Sequence, residues 1–218
     1  MTKIKICGFT RVGDVKIACR LGVDMVGVIL IPQSSRHVNI DQASKIFDKV
    51  DQGVARVAVF LPRCADDVKN IYEKLRPDIL QFQLTFSTEE LLKLRKELDA
   101  RVMTVVSVPQ KIGNFEEIIH KALLFSEGAD FLLIDTEGPS GGGTGLPHNW
   151  NLSASIRKVV KRPVFLAGGL TPTNVAQAIK IVRPYGVDVA TGVESSPRRK
   201  DPKLMQEFLE AVRKAERS

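Results

Sequence analysis

Residues 163–174 read Pro163-Val164-Phe165-Leu166-Ala167-Gly168-Gly169-Leu170-Thr171-Pro172-Thr173-Asn174. The apolar run 164–167 has the length and composition of a short buried strand, and it ends in two glycines. Thr171 then stands as a helix N-cap, with Pro172 at the first helical position. A strand, a glycine pair and a helix start in succession predict an anion site. Glycines let the backbone approach a ligand, and the free N–H groups and dipole of the helix face it. A second such unit follows at once, an apolar strand over 186–190 with Thr191-Gly192-Val193 opening a loop toward a short helical turn. Two neighbouring strand ends that converge on one phosphate are what the last two units of a phosphate-binding (β/α)₈ barrel present.

Six further alternations precede this pair. Apolar runs predict strands over 4–7, 25–30, 54–60, 79–84, 101–107 and 131–134. Helical patterns follow each of them: over 10–21 ending at Gly22, over 41–50, over 65–75, from the Ser87–Glu90 capping box, from an Asn114 cap, and over 152–160. Asp201-Pro202 starts a last helix running to Ala215. Strands alternating with helices predict a parallel sheet, and eight strands close it into a barrel. An open doubly wound sheet is the alternative. It carries its phosphate loop after the first strand, where this chain has Gly8-Phe9-Thr10 with one glycine and no GxGxxG. The expectation is one α/β domain over residues 1–218, a single TIM barrel with phosphate-binding loops after strands seven and eight.

Composition agrees with a globular chain of that size: 218 residues, 44% hydrophobic and 26% charged. The formal charge of +7, from 32 basic and 25 acidic residues, favours anionic partners. No recognised nucleic-acid module accompanies that charge, so a small phosphorylated molecule is expected and nucleic acid is not. Cys7, Cys19 and Cys64 lack CxxC spacing, which argues against a disulfide framework or a zinc site. The N-terminus runs straight into a strand without a signal peptide, and the longest apolar run, 25–31, is too short to span a bilayer. A cytoplasmic protein with no membrane association is expected, as a monomer or homodimer.

Functional residues of such barrels lie where strands run into their following loops. Cys7 closes the first strand, an exposed placement for a thiol that acts as a base if cations or a helix N-terminus lower its pKa; the alternative is a small apolar core cysteine. Asp135 directly follows the apolar strand 131–134. A carboxylate there needs a partner or a proton, which makes it a candidate general acid, or else a cap. Arg36 sits after strand two beside Ser34 and Ser35, and its planar guanidinium suits a substrate carboxylate, though taken alone it reads sooner as a surface arginine. The glycine run 141–145, centred on Gly143, is a plain linker, a lid over the site, or a segment that touches a phosphate through its backbone. Asp188, inside strand eight, either supports the site or is a buried structural carboxylate.

Lys5-Ile6-Cys7-Gly8-Phe9-Thr10-Arg11, Leu133-Ile134-Asp135-Thr136, Gly142-Gly143-Thr144-Gly145 with Trp150 downstream, Leu166-Ala167-Gly168-Gly169-Leu170-Thr171-Pro172 and Gly192-Val193-Glu194 with Lys200-Asp201 together resemble phosphoribosylanthranilate isomerase. The likeness runs in order along nearly the whole chain. It implies a cofactor-free and metal-free Amadori rearrangement in tryptophan synthesis, in which an acid opens the furanose ring to a Schiff base and a base removes the C2 proton. On that resemblance Asp135 is the acid, Cys7 the base and Arg36 the partner of the anthranilate carboxylate. The phosphate sits near Gly168, Gly169 and Gly192. Three places depart from the family pattern: Gln83-Leu84-Thr85-Phe86 where its strand four ends Gln-Leu-His-Gly, His148-Asn149 in place of Phe-Asp, and Arg198 in place of a glycine. The competing readings are another phosphate-barrel enzyme, such as indole-glycerol-phosphate synthase, and a non-catalytic paralogue that binds a phosphorylated metabolite.

Overall fold

A computed structural model describes residues 1–83, 86–110, 114–137 and 147–217. Eight strands run in chain order: β1 Lys3–Ile6, β2 Met25–Ile29, β3 Ala55–Val59, β4 Ile79–Gln83, β5 Arg101–Val108, β6 Phe131–Thr136, β7 Val164–Leu166 and β8 Gly186–Val189. Each pairs in parallel with the next. The pairing of β1 with β8, with Lys5 opposite Asp188 and Ile6 opposite Val189, closes the barrel and excludes the open sheet. Outside it lie α1 Val12–Leu21, α2 Ile40–Phe47, α3 Ala65–Leu75, α4 Thr88–Glu97, α5 Phe115–Glu127, α6 Trp150–Val159, α7 Val175–Val182 and α8 Pro202–Ala215. No helix among the described residues is long and apolar enough to cross a membrane.

Two apolar layers hold this arrangement. The barrel interior is filled by Met25, Val57, Ile79, Met103, Val105, Phe131, Leu133, Phe165 and Ala167, contributed from alternate positions along the strands. The outer layer packs the other face of the strands against the helices. Burying both faces is why the strands read as continuous apolar runs rather than alternating ones. Phe165, fully buried and worth about 1.5–3 kcal/mol of transfer energy, fits because β8 starts with glycine: a Cβ at Gly186 would lie 2.3 Å from its ring.

Helix caps follow the sequence closely. Ser87 and Glu90 close a capping box at α4, Asn114 caps α5, and Asp201 with Pro202 opens α8. Gly22, in the left-handed region at φ 85°, ends α1. Helix α2 begins at Ile40, not Asp41, because Asn39 and Gln42 also form a capping box, and it ends at Phe47.

Three local expectations need correction. Thr171 is not the side-chain cap of α7, and Pro172 is not in its first turn. The Thr171 hydroxyl pairs with that of Thr173, and residues 172–174 form a turn that delays the regular helix to Val175. Asn174 builds that turn by accepting from the Thr171 N–H at 2.8 Å and donating to the Gly169 carbonyl at 2.9 Å. Strand β6 extends to Thr136, so Asp135 lies within the ladder, opposite Ser107, rather than after it. Finally, the segment after β8 holds a 3₁₀ turn, Thr191–Val193, and then an antiparallel hairpin of β9 Glu194–Ser196 and β10 Arg199–Lys200 that the sequence did not announce. The glycine run 141–145, including Gly143, and the strand-four departure at Leu84-Thr85 lie outside the described residues.

His148 is a structural residue. It is buried, with Nδ1 2.9 Å from the Thr136 hydroxyl at the end of β6 and Nε2 2.6 Å from the Ser153 hydroxyl in α6. Burial lowers its pKa to about 4, so the ring stays neutral in the fold. An unfolded chain protonates this imidazole near pH 6.5, so its contribution to stability is complete above that value and is lost as pH falls toward 4. Between pH 7 and pH 5 the native protein should therefore lose about 2 kcal/mol more stability than His148→Phe, read by urea denaturation at each pH. Parallel profiles for the two proteins would show that the ring is charged in the fold.

Candidate active site

The carboxyl ends of the strands surround a cavity reached by Cys7 after β1, Ser34, Ser35 and Arg36 after β2, Gln81 on β4, Asp135 on β6, and Asp188 and Ala190 on and after β8. A smaller pocket opens from it. Asp135, Asp188 and Ala190 line both, and the smaller one is completed by residues 167–170 after β7 and 189–192 after β8. The predicted site residues among the described ones are thus brought into one continuous space.

The smaller pocket is made by glycine. Gly168 and Gly169 adopt φ 83° and 63°, the left-handed region that other residues enter at a cost. A Cβ at Gly168 would meet the Thr136 hydroxyl at 2.1 Å, and one at Gly192 would meet the Leu170 carbonyl at 2.0 Å, so the β7 loop packs on the end of β6, and the β8 loop on the β7 loop, only because these side chains are absent. The N–H groups of Gly168, Gly169 and Leu170 have no acceptor among the described residues. Successive free N–H groups around left-handed residues form a concavity for an anion. The helix dipole expected behind them is displaced by the Asn174 turn, so the loop backbone supplies the donors nearest the pocket.

Cys7 is buried rather than exposed as the sequence suggested. Its sulfur sits beneath the cavity beside β2, where a Cβ at Gly27 would lie 2.8 Å from it. Burial raises its pKa, opposed by the Lys5 and Lys200 ammonium groups and reinforced by Asp188, so the resting group is a thiol. Asp135 is partly exposed to the cavity. Burial, then the Asp188 charge, raise its pKa to about 7, against the Thr136 N–H that donates to its Oδ1 at 2.8 Å and against Lys5.

Between these two groups lies an ion pair. Lys5 is fully buried, and its Nζ donates to Asp188 Oδ2 at 2.8 Å. Burial disfavours this ammonium, but the Asp188 and Cys7 charges outweigh it and hold its pKa above the usual lysine value. The other Asp188 oxygen, Oδ1, is buried without a hydrogen-bond donor among the described residues. Asp188 thus balances a buried charge and also lines the cavity.

Arg36 is not free to meet a ligand with its whole fork. Nε and Nη2 donate to the two Glu194 carboxylate oxygens, both at 2.8 Å, and Nη2 also donates to the Thr191 hydroxyl at 2.8 Å. Nη1 alone has no acceptor among the described residues. The Glu194 hydrogen bonds raise the Arg36 pKa; burial opposes the Glu194 charge, while Arg36 and Lys200 hold its pKa below the usual carboxylate range. The side chain reaches this position over Gly8, at φ 75°, where a Cβ would lie 2.3 Å from Arg36 Cδ.

Four polar side chains that line or brace the cavity carry no role in the sequence-based reading: Lys5, Gln81, Glu194 and Lys200. Lys5 had a usable signal, because a lysine between two isoleucines in a strand buried on both faces needs an anion. Gln81 of β4, two residues before the tetrad read from the sequence, lines the cavity and is buried with its Oε1 unpaired among the described residues. Glu194 and Lys200 face each other only through the unannounced hairpin.

Comparison with known proteins follows the geometry. The family model described as N-(5'phosphoribosyl)anthranilate (PRA) isomerase matches residues 4–211. N-(5'-phosphoribosyl)anthranilate isomerase from Methanocella arvoryzae is 38% identical over 215 residues, which is 98% of this chain and 99% of that one. The crystal structure of phosphoribosyl anthranilate isomerase from Thermotoga maritima superposes with a TM-score of 0.86 at 30% identity, covering 98% of this chain and 100% of that one. A phosphoribosyl anthranilate isomerase in complex with reduced 1-(o-carboxyphenylamino)-1-deoxyribulose 5-phosphate gives a TM-score of 0.82 at 28% identity, covering 98% and 100%. The chain belongs to the N-(5'-phosphoribosyl)anthranilate isomerase family.

Proposed function

We propose that this cavity isomerises N-(5'-phosphoribosyl)anthranilate to its 1-(o-carboxyphenylamino)-1-deoxyribulose 5-phosphate, with Asp135 as general acid and Cys7 as general base. The observation that carries the assignment is that the two groups face one cavity continuous with the glycine-lined anion pocket. The phosphate sits on the N–H groups of the β7 loop and against Gly192, and the anthranilate carboxylate meets Arg36 Nη1.

The chemistry follows from the proton affinities. Asp135 keeps its proton to about pH 7, so it can give it to the furanose oxygen; the nitrogen lone pair then opens the C1–O bond and leaves an iminium. That cation acidifies the C2–H bond. The Cys7 thiolate takes the C2 proton, the electrons move toward C1 and nitrogen, and a neutral enolamine forms, which tautomerises to the ketone. The active pair, a protonated Asp135 with a Cys7 thiolate, holds the same number of protons as the more abundant pair of Asp135 carboxylate and Cys7 thiol. Lys5, beside both, makes the exchange between these two forms less costly by stabilising whichever one is negative.

Cys7→Ser and Asp135→Asn should each lower kcat by about two orders of magnitude or more. Arg36→Met should instead raise KM. The measurement is loss of substrate fluorescence, and near native turnover in either of the first two variants would remove that residue from the mechanism.

The pH profile has a definite sign. The singly protonated pair is populated above the Asp135 value of about 7 and below the raised thiol value, so kcat/KM should fall as pH drops below about 7. A profile that stays flat down to pH 5 would show that Asp135 ionises as an ordinary carboxylate. Its raised value has a stability cost: a buried acid that stays protonated in the fold stabilises it least once pH passes about 7. Asp135→Asn should accordingly gain more in melting temperature, relative to native protein, at pH 8.5 than at pH 5.5.

A further inference from the structure

After β8 the chain folds back as the β9–β10 hairpin, which forms no part of the barrel wall. Its two strands pair Lys200 with Glu194, and the buried Lys200 Nζ donates to Glu194 Oε1 at 3.1 Å and to the Ala190 carbonyl at 2.9 Å. The Lys200 N–H is tied in turn to Asp14 of α1 at 3.0 Å. The hairpin is therefore fixed to the barrel. From this base it reaches the loop after β2 twice. Glu194 holds Arg36 itself through Nε and Nη2, and Arg198 donates to the carbonyls of Ser35 and His37, on either side of Arg36, at 3.3 and 3.2 Å.

Arg198 is notable for its backbone. It lies at φ 70°, where glycine is at ease and an arginine is strained, and its own carbonyl accepts from the Thr10 hydroxyl at 2.8 Å. An arginine retained in a conformation suited to glycine points to a use for the side chain, and the only side-chain bonds it makes among the described residues are those to the Arg36 loop.

We propose that the hairpin is a clamp that aims Arg36 Nη1 at the substrate carboxylate, with Glu194 and Arg198 as positioning residues. This rests on the reading of the cavity given above, in which an aromatic carboxylate is bound there. An unconstrained guanidinium meets a carboxylate with two nitrogens. Here Glu194 and Thr191 occupy Nε and Nη2, so recognition depends on one nitrogen being held in place, and a guanidinium free to turn loses it. Neither Glu194 nor Arg198 hydrogen-bonds to Cys7 or Asp135 among the described residues, so the loss of either is felt more in binding than in the proton transfers.

The test compares two competitive inhibitors, the reduced product and the same compound without its ring carboxylate. Native protein should bind the carboxylated one about tenfold more tightly or better, a typical yield for a charge-assisted hydrogen bond. Arg198→Gly should reduce that preference by about threefold, the share of two exposed hydrogen bonds. Glu194→Gln should bring it close to one. In both variants KM rises while kcat stays within about threefold. Arg198→Gly also relieves the backbone, so its melting temperature should equal or exceed the native value, and a merely structural role predicts no change in ligand preference. If Glu194→Gln does not fold because Lys200 is left unpaired, Arg198→Gly carries the test alone. An unchanged preference in every folded variant overturns the clamp. No preference in the native protein overturns instead the assignment of Arg36 to the carboxylate.

Discussion

A lysine ammonium sealed inside a protein must have an anion beside it, and the pairing of Lys5 with Asp188 meets that demand at the point where the barrel closes. The two residues are opposite each other in the β1–β8 register, so the closing seam and the ion pair specify one another. A shift of one residue would turn Lys5 to the helix layer and leave Asp188 facing the cavity without its counter-charge, and breaking a buried pair on one side costs about 3–5 kcal/mol. The same pair sets the field of the site. Its negative end raises the proton affinity of Asp135, and its positive end stabilises the ionised form of Cys7. Fold closure and the proton affinities of Cys7 and Asp135 thus depend on one contact 183 residues apart in sequence.

The hairpin repeats this logic at the other side of the cavity. Arg36 and Lys200 share one anion, Glu194, so this side of the cavity carries one positive charge beyond that carboxylate. That surplus costs desolvation energy in the empty protein, as the lowered pKa of Lys200 under burial reflects. It is the sign an anionic substrate requires. Stability and recognition pull against each other here, and the structure confines the conflict to groups that line the cavity or brace its lining.

How much of this was legible in the sequence depends on distance along the chain. The elements were, because each signal is local: the Ser87–Glu90 box, the Asn114 cap, Gly22 and Asp201-Pro202 act within four residues, and the apolar runs reflect burial on both faces. The strand ends then selected Cys7, Arg36, Asp135 and the glycines of the last two units correctly as neighbours. Their states were not legible. Cys7 read as exposed because nothing local shows that Gly27 of β2 opens space for it beside the next strand. Arg36 read as a free fork because its partner Glu194 is 158 residues away, on a hairpin whose turn contains an arginine where the backbone calls for glycine. The Thr171-Pro172 start misled for a different reason: Asn174 satisfies the same backbone groups with a turn, and both solutions fit the residues.

The polar atoms left unpaired around the cavity have an order of their own. At the β7 loop they are donors only, the N–H groups of Gly168, Gly169 and Leu170. In the middle they are acceptors only, Asp188 Oδ1 and Gln81 Oε1, both buried without a donor among the described residues. At the β2 loop they are donors again, at Arg36 Nη1. Leaving such atoms unsatisfied destabilises the empty protein, by about 1–3 kcal/mol for each buried one. A ligand removes that cost if it carries acceptors at both ends and donors between them, which describes a phosphate and a carboxylate joined by a hydroxylated chain. Because the pattern reads the same from both ends, its order does not orient such a ligand; what distinguishes the ends is the number of donors, three backbone N–H groups at the β7 loop against one guanidinium nitrogen at the β2 loop among the described residues.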